Sequence, residues 1–207
     1  MILYRTVEKQ AEAEQIIEKS RFIAHVCPVS SREEAENFIS GIKARYKDAT
    51  HNVPAMVIGD KSQIQWASDD GEPQGTSGAP IVQMLVKEGI TDVVIVVTRY
   101  FGGIKLGTGG LVRAYTGSAK LGLEAAGVCS VKEMVCMSVK MDYTFLGKIQ
   151  NLEKDGLFSI GDIKYEECVT ADLVTETENA EKLKDLIKGA TAGKGVITGE
   201  KNILAKC

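Results

Sequence analysis

Residues 93–110 read VVIVVTRYFGGIKLGTGG. The first half is β-branched without polar alternation, the pattern of a strand covered on both faces. A central strand is therefore expected over 92–98. The second half is denser in glycine than a turn requires. From Leu111 the residues Val112, Tyr115, Ala119, Leu123 and Ala126 recur at helical spacing, and Gly127 supplies a stop. The order strand, glycine turn, helix places free backbone N–H groups and the positive end of a helix dipole beside a strand end. Phosphate binds well at such a place. Gly102, Gly103, Gly107 and Gly109 allow close backbone approach. Arg99, Lys105 and Arg113 add positive charge, and Tyr100 and Phe101 add flat faces on which bases stack. These nine residues form the expected ligand- or nucleic-acid-binding set.

Spacing excludes the familiar phosphate enzymes. Gly102 and Gly107 have the separation of a P-loop, but Thr108 stands where that loop needs lysine. Gly107 and Gly109 begin a dinucleotide fingerprint, but Val112 replaces its third glycine.

Upstream, residues 13–18 and 21–29 read as two strands, with His25 half-buried on the second. Ser31 and Glu34 form a capping box for a helix with Ala35, Phe38, Ile39, Ile42 and Tyr46 on one face. Residues 51–58 and 63–68 read as a hairpin around Gly59, with Trp66 in the core. The loop DDGEPQGTSGAP (69–80) follows, then a short helix through Ile81, Leu85 and Val86. Asp69, Asp70 and Glu72 gather there, with His51 on the neighbouring strand. They are candidates for supporting the arginines of the glycine turn or for holding a divalent ion. Ordinary turn chemistry explains the same residues. Gly75-Thr76-Ser77-Gly78 approaches a nucleophile elbow, but Ala79 occupies its last position. Capping of the next helix is the simpler role for Thr76 and Ser77.

A boundary is expected near residues 130–134, giving domains over 1–132 and 135–207. The second reads strand, helix, strand, strand, helix, strand, a ferredoxin-like βαββαβ plan. It carries no chemical motif, so support or docking of a protein partner is its expected role. The fold class is α+β.

Composition narrows the function. Hydrophobic residues make up 44% and charged residues 26%, which suits a chain able to bury a core. The apolar run Val93–Val97 is far short of the ~20 residues of a membrane helix, so a cytoplasmic protein without membrane contact is expected. Five scattered cysteines with no Cys-x-x-Cys pair read as buried free thiols, Cys207 being the most exposed to reaction. The net charge of −3 rules out a general nucleic-acid coat and confines any such contact to a local patch.

The stretch VVIVVTRYFGGIKLGTGGLVRAY resembles the signature of the IMPACT/YigZ family, and DDGEPQGTSGAP and SRFIAHVCPV match its pattern. The resemblance spans the whole chain. It carries over Asp69, Asp70, Gly71, Glu72 and Pro73 in the acidic loop, and Arg99, Tyr100, Phe101, Gly102, Gly103, Leu106 and Gly107 in the glycine turn. It implies a first domain like ribosomal protein S5 domain 2 and domain IV of elongation factor G, and a second like domain V of that factor. That pairing implies contact with RNA or the ribosome. Eukaryotic relatives regulate translation under amino-acid stress by binding an activator of an initiation-factor kinase. Their extra N-terminal domain is missing from this sequence, so that partner is not expected to carry over. The expectation is a non-enzymatic, cofactor-free RNA- or ribosome-binding protein. The alternative is a hydrolase or metal-dependent enzyme using His51, Asp69, Asp70 and Glu72.

Overall fold

The structure is a computed structural model and describes residues 2–206. Cys207, the thiol expected to react most readily, lies outside them. The chain divides into two compact units, residues 2–131 and 132–205.

The first unit begins with β1 (Ile2–Val7), a strand that sequence pattern did not mark. It continues with β2 (Ala11–Ile17), β3 (Ser20–Pro28), α1 (Arg32–Arg45), β4 (His51–Ile58), β5 (Ile64–Ala67), α2 (Gly78–Lys87), β6 (Val93–Tyr100) and α3 (Gly107–Ala126). The sheet order is β2-β3-β6-β4-β5, with β6 antiparallel to both β3 and β4. The β-branched run is thus the central strand, as expected.

Helices on both faces explain its lack of alternation. Val93, Ile95 and Val97 face a core with Ile81 and Leu85 of α2 and Leu111, Tyr115 and Leu123 of α3. Val94 and Val96 face Ala35, Ile39 and Ile42 of α1. Ser31 caps α1 by accepting from the Glu34 backbone N–H, and the Glu34 carboxylate reaches back to the chain before the helix. There it takes the N–H and hydroxyl of Ser30 most strongly.

Three local expectations need correction. Trp66 is 40% exposed, because β5 is an edge strand, so it is not a core residue. His25 is fully buried rather than half-buried, held between Thr98 and Tyr46. The last helix of the unit starts at Gly107 rather than Leu111, so the end of the glycine turn is its first turn.

β7 (Val128–Met141) leads into the second unit, which adds α4 (Tyr143–Leu152), β8 (Ser159–Tyr165), β9 (Val169–Glu176), α5 (Ala180–Ala190) and β10 (Val196–Lys206). Within it the strands run β10-β7-β9-β8, the ferredoxin-like order. Asp142 caps α4 by accepting from the Thr144 N–H. Met137, Val139, Ile149, Leu173, Leu183 and Ile187 form its core.

Small residues let α3 lie close to the sheet. A Cβ on Gly122 would stand 2.7 Å from Val26 Cγ2 and 3.0 Å from Ala24 Cβ. Gly41, in α1, has nothing within 4 Å of the same position. Gly122→Val is therefore expected to destabilise the protein by ~1–3 kcal/mol through overpacking. Gly41→Ala is expected to stabilise it by up to ~1 kcal/mol through helix propensity. Urea unfolding of the two variants measures both signs.

Candidate functional site

Alternation along β6 carries Arg99 onto the face of Ile95 and Val97, beneath α3. Cross-strand register sets Phe22 and His51 on either side of it. A guanidinium there sits in an otherwise apolar layer, and Arg99 is only 4% exposed. Its counter-charge comes from the acidic loop. Arg99 Nη1 donates to Glu72 Oε1, and Nη2 donates to Ser20 Oγ at 3.3 Å. The Tyr115 hydroxyl of α3 donates to the same Glu72 oxygen at 2.8 Å. The guanidinium also lies over the rings of Phe22 and Phe101, at 5.3 and 5.4 Å. Burial, with the Glu72 hydrogen bond added, pushes the Tyr115 phenol far above its usual range, so it stays a donor.

The other two loop carboxylates hold other elements. Asp69 Oδ1 accepts from the backbone N–H groups of Ser77 and Gly78 and from the Ser77 hydroxyl, and Oδ2 accepts from Gly75 N–H. Asp69, rather than Thr76 or Ser77, therefore caps α2. Burial raises its carboxyl pKa, but the Ser77 hydroxyl and the three N–H donors outweigh that and hold it below the usual range. Asp70 accepts from the Asn52 N–H and from Lys43 Nζ, both at 2.6 Å. Its carbonyl lies 2.8 Å from His51 Nδ1, which fixes the proton on that nitrogen. His51 Nε2 lies 3.7 Å from Glu72 Oε1.

These engagements commit each carboxylate of the loop to a structural partner. Among the described residues no three His, Cys, Asp or Glu side chains gather as a metal-holding group. Ser77 is wholly buried, and its hydroxyl donates to Asp69, the carboxylate that caps α2.

Against this frame lies a cavity of about 440 Å³. His51, Glu72 and Arg99 line its sheet side, Phe101, Leu106 and Leu111 give it apolar walls, and Lys105, Gly107 and Thr108 line it at the start of α3. That helix start has no side-chain cap and no acidic residue in its first turn. Gly107 adopts φ +70°, a conformation that favours glycine. Lys105 is exposed and makes no ion pair among the described residues. Phe101 is 46% exposed.

Other members of the expected set lie elsewhere. The Tyr100 hydroxyl donates to Asp48 and its ring sits beneath Arg21, so it does not line the cavity. Arg113 lines a neighbouring cavity with Lys105 and Ile104. Gly102 is spent on packing, because a Cβ there would stand 2.0 Å from the Lys19 carbonyl. Gly103 has φ +87°, which favours glycine, and Gly109 lies within α3, where a Cβ would meet only Arg113 Nη1 at 3.5 Å. Sequence reading missed Ser20, Asn52 and Tyr115 as site residues. Tyr115 had a legible signal, since a phenol on a buried helix stripe needs a partner for its hydroxyl.

Removing Glu72 leaves a buried, uncompensated guanidinium, so Glu72→Ala is expected to cost ~3–5 kcal/mol. Tyr115→Phe removes one neutral donor from an already satisfied oxygen and is expected to cost ~1 kcal/mol. Asp69→Ala, which uncaps α2, is expected to cost ~1–2 kcal/mol. Denaturant unfolding of the three variants tests the ranking, and a Glu72 variant no less stable than the Tyr115 variant would contradict it.

The sequence and fold have known counterparts. A family model described as the Impact N-terminal domain matches residues 18–123. The IMPACT family member YvyE of Bacillus subtilis (strain 168) is 45% identical over 204 residues, 98% of this chain and 94% of that one. The IMPACT family member YigZ of Escherichia coli (strain K12) is 45% identical over 109 residues, 52% of this chain and 53% of that one. The protein IMPACT of Oryctolagus cuniculus is 34% identical over 94 residues, 43% of this chain and 29% of that one. Among solved structures, a crystal structure of a hypothetical protein aligns with TM-score 0.58 at 28% identity, covering 94% of this chain and 95% of that one. The chain belongs to the IMPACT family.

Proposed function

We propose that the cavity at the start of α3 binds single-stranded RNA, and that the protein acts in the cytoplasm as an RNA- or ribosome-associated regulator of translation. The observation carrying this reading is the uncapped helix start, opening with Lys105 onto a cavity that Phe101 also lines. Backbone N–H groups and an unpaired ammonium suit a phosphate. An exposed ring beside them suits a base. Arg113 and Lys105 share the adjoining cavity, so positive charge continues past the first phosphate position. No helix among the described residues is long and apolar enough to cross a membrane.

Arg99 has no direct part in this reading. Glu72 neutralises it, and its burial removes it from a backbone phosphate. Binding is therefore assigned to Lys105, Arg113, Phe101 and the N–H groups of Gly107 and Thr108.

The double variant Lys105→Ala, Arg113→Ala is expected to weaken binding of a short single-stranded RNA. It should also flatten the dependence of log affinity on log salt by ~0.7 for each phosphate that is no longer neutralised. Phe101→Ala is expected to cost ~1–3 kcal/mol of binding while leaving that slope in place. Fluorescence titration across a salt series measures both. Wild-type affinity and slope in the double variant would sink the proposal.

A further inference from the structure

Glu72 has an oxygen to spare. Its protein contacts all meet Oε1, from Arg99 Nη1, from the Tyr115 hydroxyl at 2.8 Å, and from His51 Nε2 at 3.7 Å. Oε2 accepts no hydrogen bond from the described residues and stays open to solvent where Glu72 lines the cavity. A carboxylate oxygen that faces a cavity pairs well with a hydrogen-bond donor on a ligand, because such a bond is charge-assisted.

The cavity thus asks for an anion at one end and a hydrogen-bond donor at the other. Tyr115 lies eight residues along α3 from Gly107, about 12 Å of helix. Its side chain leans back toward the helix start, which brings Glu72 within one nucleotide's length of the N–H groups there. Phe101, Leu106 and Leu111 supply apolar surface between the two ends. At about 440 Å³ the space falls in the size range of small-ligand pockets, ~300–1,000 Å³.

Resting on the RNA-binding reading above, we infer that the cavity takes one unstacked nucleotide whose base carries an exocyclic amino group. The phosphate lies at Lys105 and the α3 N–H groups, the base lies along Phe101, and the amino group donates to Glu72 Oε2. Adenine, cytosine and guanine carry such a donor. Uracil does not; its ring N–H is flanked by two carbonyl oxygens that a carboxylate repels. Glu72 is the specificity-determining residue, and Arg99 keeps it charged and in place.

The test changes the ligand first, so that folding is not at issue. The full chain is titrated with three short single-stranded RNAs of equal length, built on adenine, on uracil, and on purine lacking the 6-amino group. Adenine is expected to bind roughly tenfold more tightly than either of the others, the effect of one charge-assisted hydrogen bond. Purine separates the amino group from the larger stacking surface of a purine ring. Glu72→Gln keeps an acceptor for Arg99 but presents an N–H at the other position, so it should narrow or reverse the adenine-over-uracil preference. Equal binding of adenine and purine RNAs overturns this inference. If that common affinity still falls in the Lys105→Ala, Arg113→Ala variant, the RNA-binding reading stands without it. Binding of none of the three overturns both.

Discussion

The buried pair between Arg99 and Glu72 is the constraint on which the first unit's site is built. Arg99 follows the inward alternation of β6 into a layer where Phe22 and Tyr115 meet edge to face, with ring centroids 5.4 Å apart. A lone guanidinium there would carry the full cost of desolvation. Glu72 and Ser20 offset it through hydrogen bonds, and two aromatic faces add to them. The partners come from the acidic loop, β3 and the turn after β6, and Tyr115 of α3 joins through Glu72, so one buried charge ties these elements together. Much of the expected loss on removing Glu72 is the penalty of stranding Arg99, which makes the pair a device for specifying geometry rather than a large net source of stability.

The acidic loop divides its charges in the same spirit. Asp69 is committed to the start of α2, Asp70 to Lys43 and the backbone of β4, and Glu72 to Arg99. Asn52 links this face of the sheet to the other. Its N–H donates to Asp70, while its side-chain oxygen accepts from Thr98 Oγ1, which also meets the buried His25. His25 Nδ1 in turn lies 3.1 Å from Glu12. Burial dominates at this histidine, lowering its pKa and keeping the ring neutral despite that carboxylate. A polar thread therefore crosses the sheet at the end of β6 that carries the cavity, where an apolar core alone would leave strand ends and loop without defined partners.

Periodicity made the central strand and the ferredoxin-like order legible, because both follow from which residues need burial. It was weaker where a residue's role depends on its neighbours in space. Trp66 looks like core on composition, but β5 is an edge strand. The same limit applies at the site. The sequence marks 69–73 and 99–110 as exceptional and allows that the acidic loop supports the arginines. It does not say which carboxylate meets Arg99, since the loop reaches it by coiling through the positive φ of Asp70 and Gly71. It also groups Arg99 with Lys105 as equal cations, when one is buried and neutralised and the other is exposed.

That difference assigns the labour within RYFGGIKLGTGG. Arg99 and Gly102 serve the frame, one through charge and the other through a close approach to the Lys19–Ser20 backbone. Lys105, Gly107 and Thr108 stand at the cavity with their donors uncommitted to any acidic cap. With Arg99 cancelled by Glu72 and a chain net charge of −3, the attraction for an anion is short in range and local to α3. A weak long-range field disfavours coating of any polyanion, and it leaves selection to what the cavity walls can pair. The carboxylate that secures the fold through one oxygen thus leaves the other for the cavity, the division of labour on which the proposed choice between bases rests.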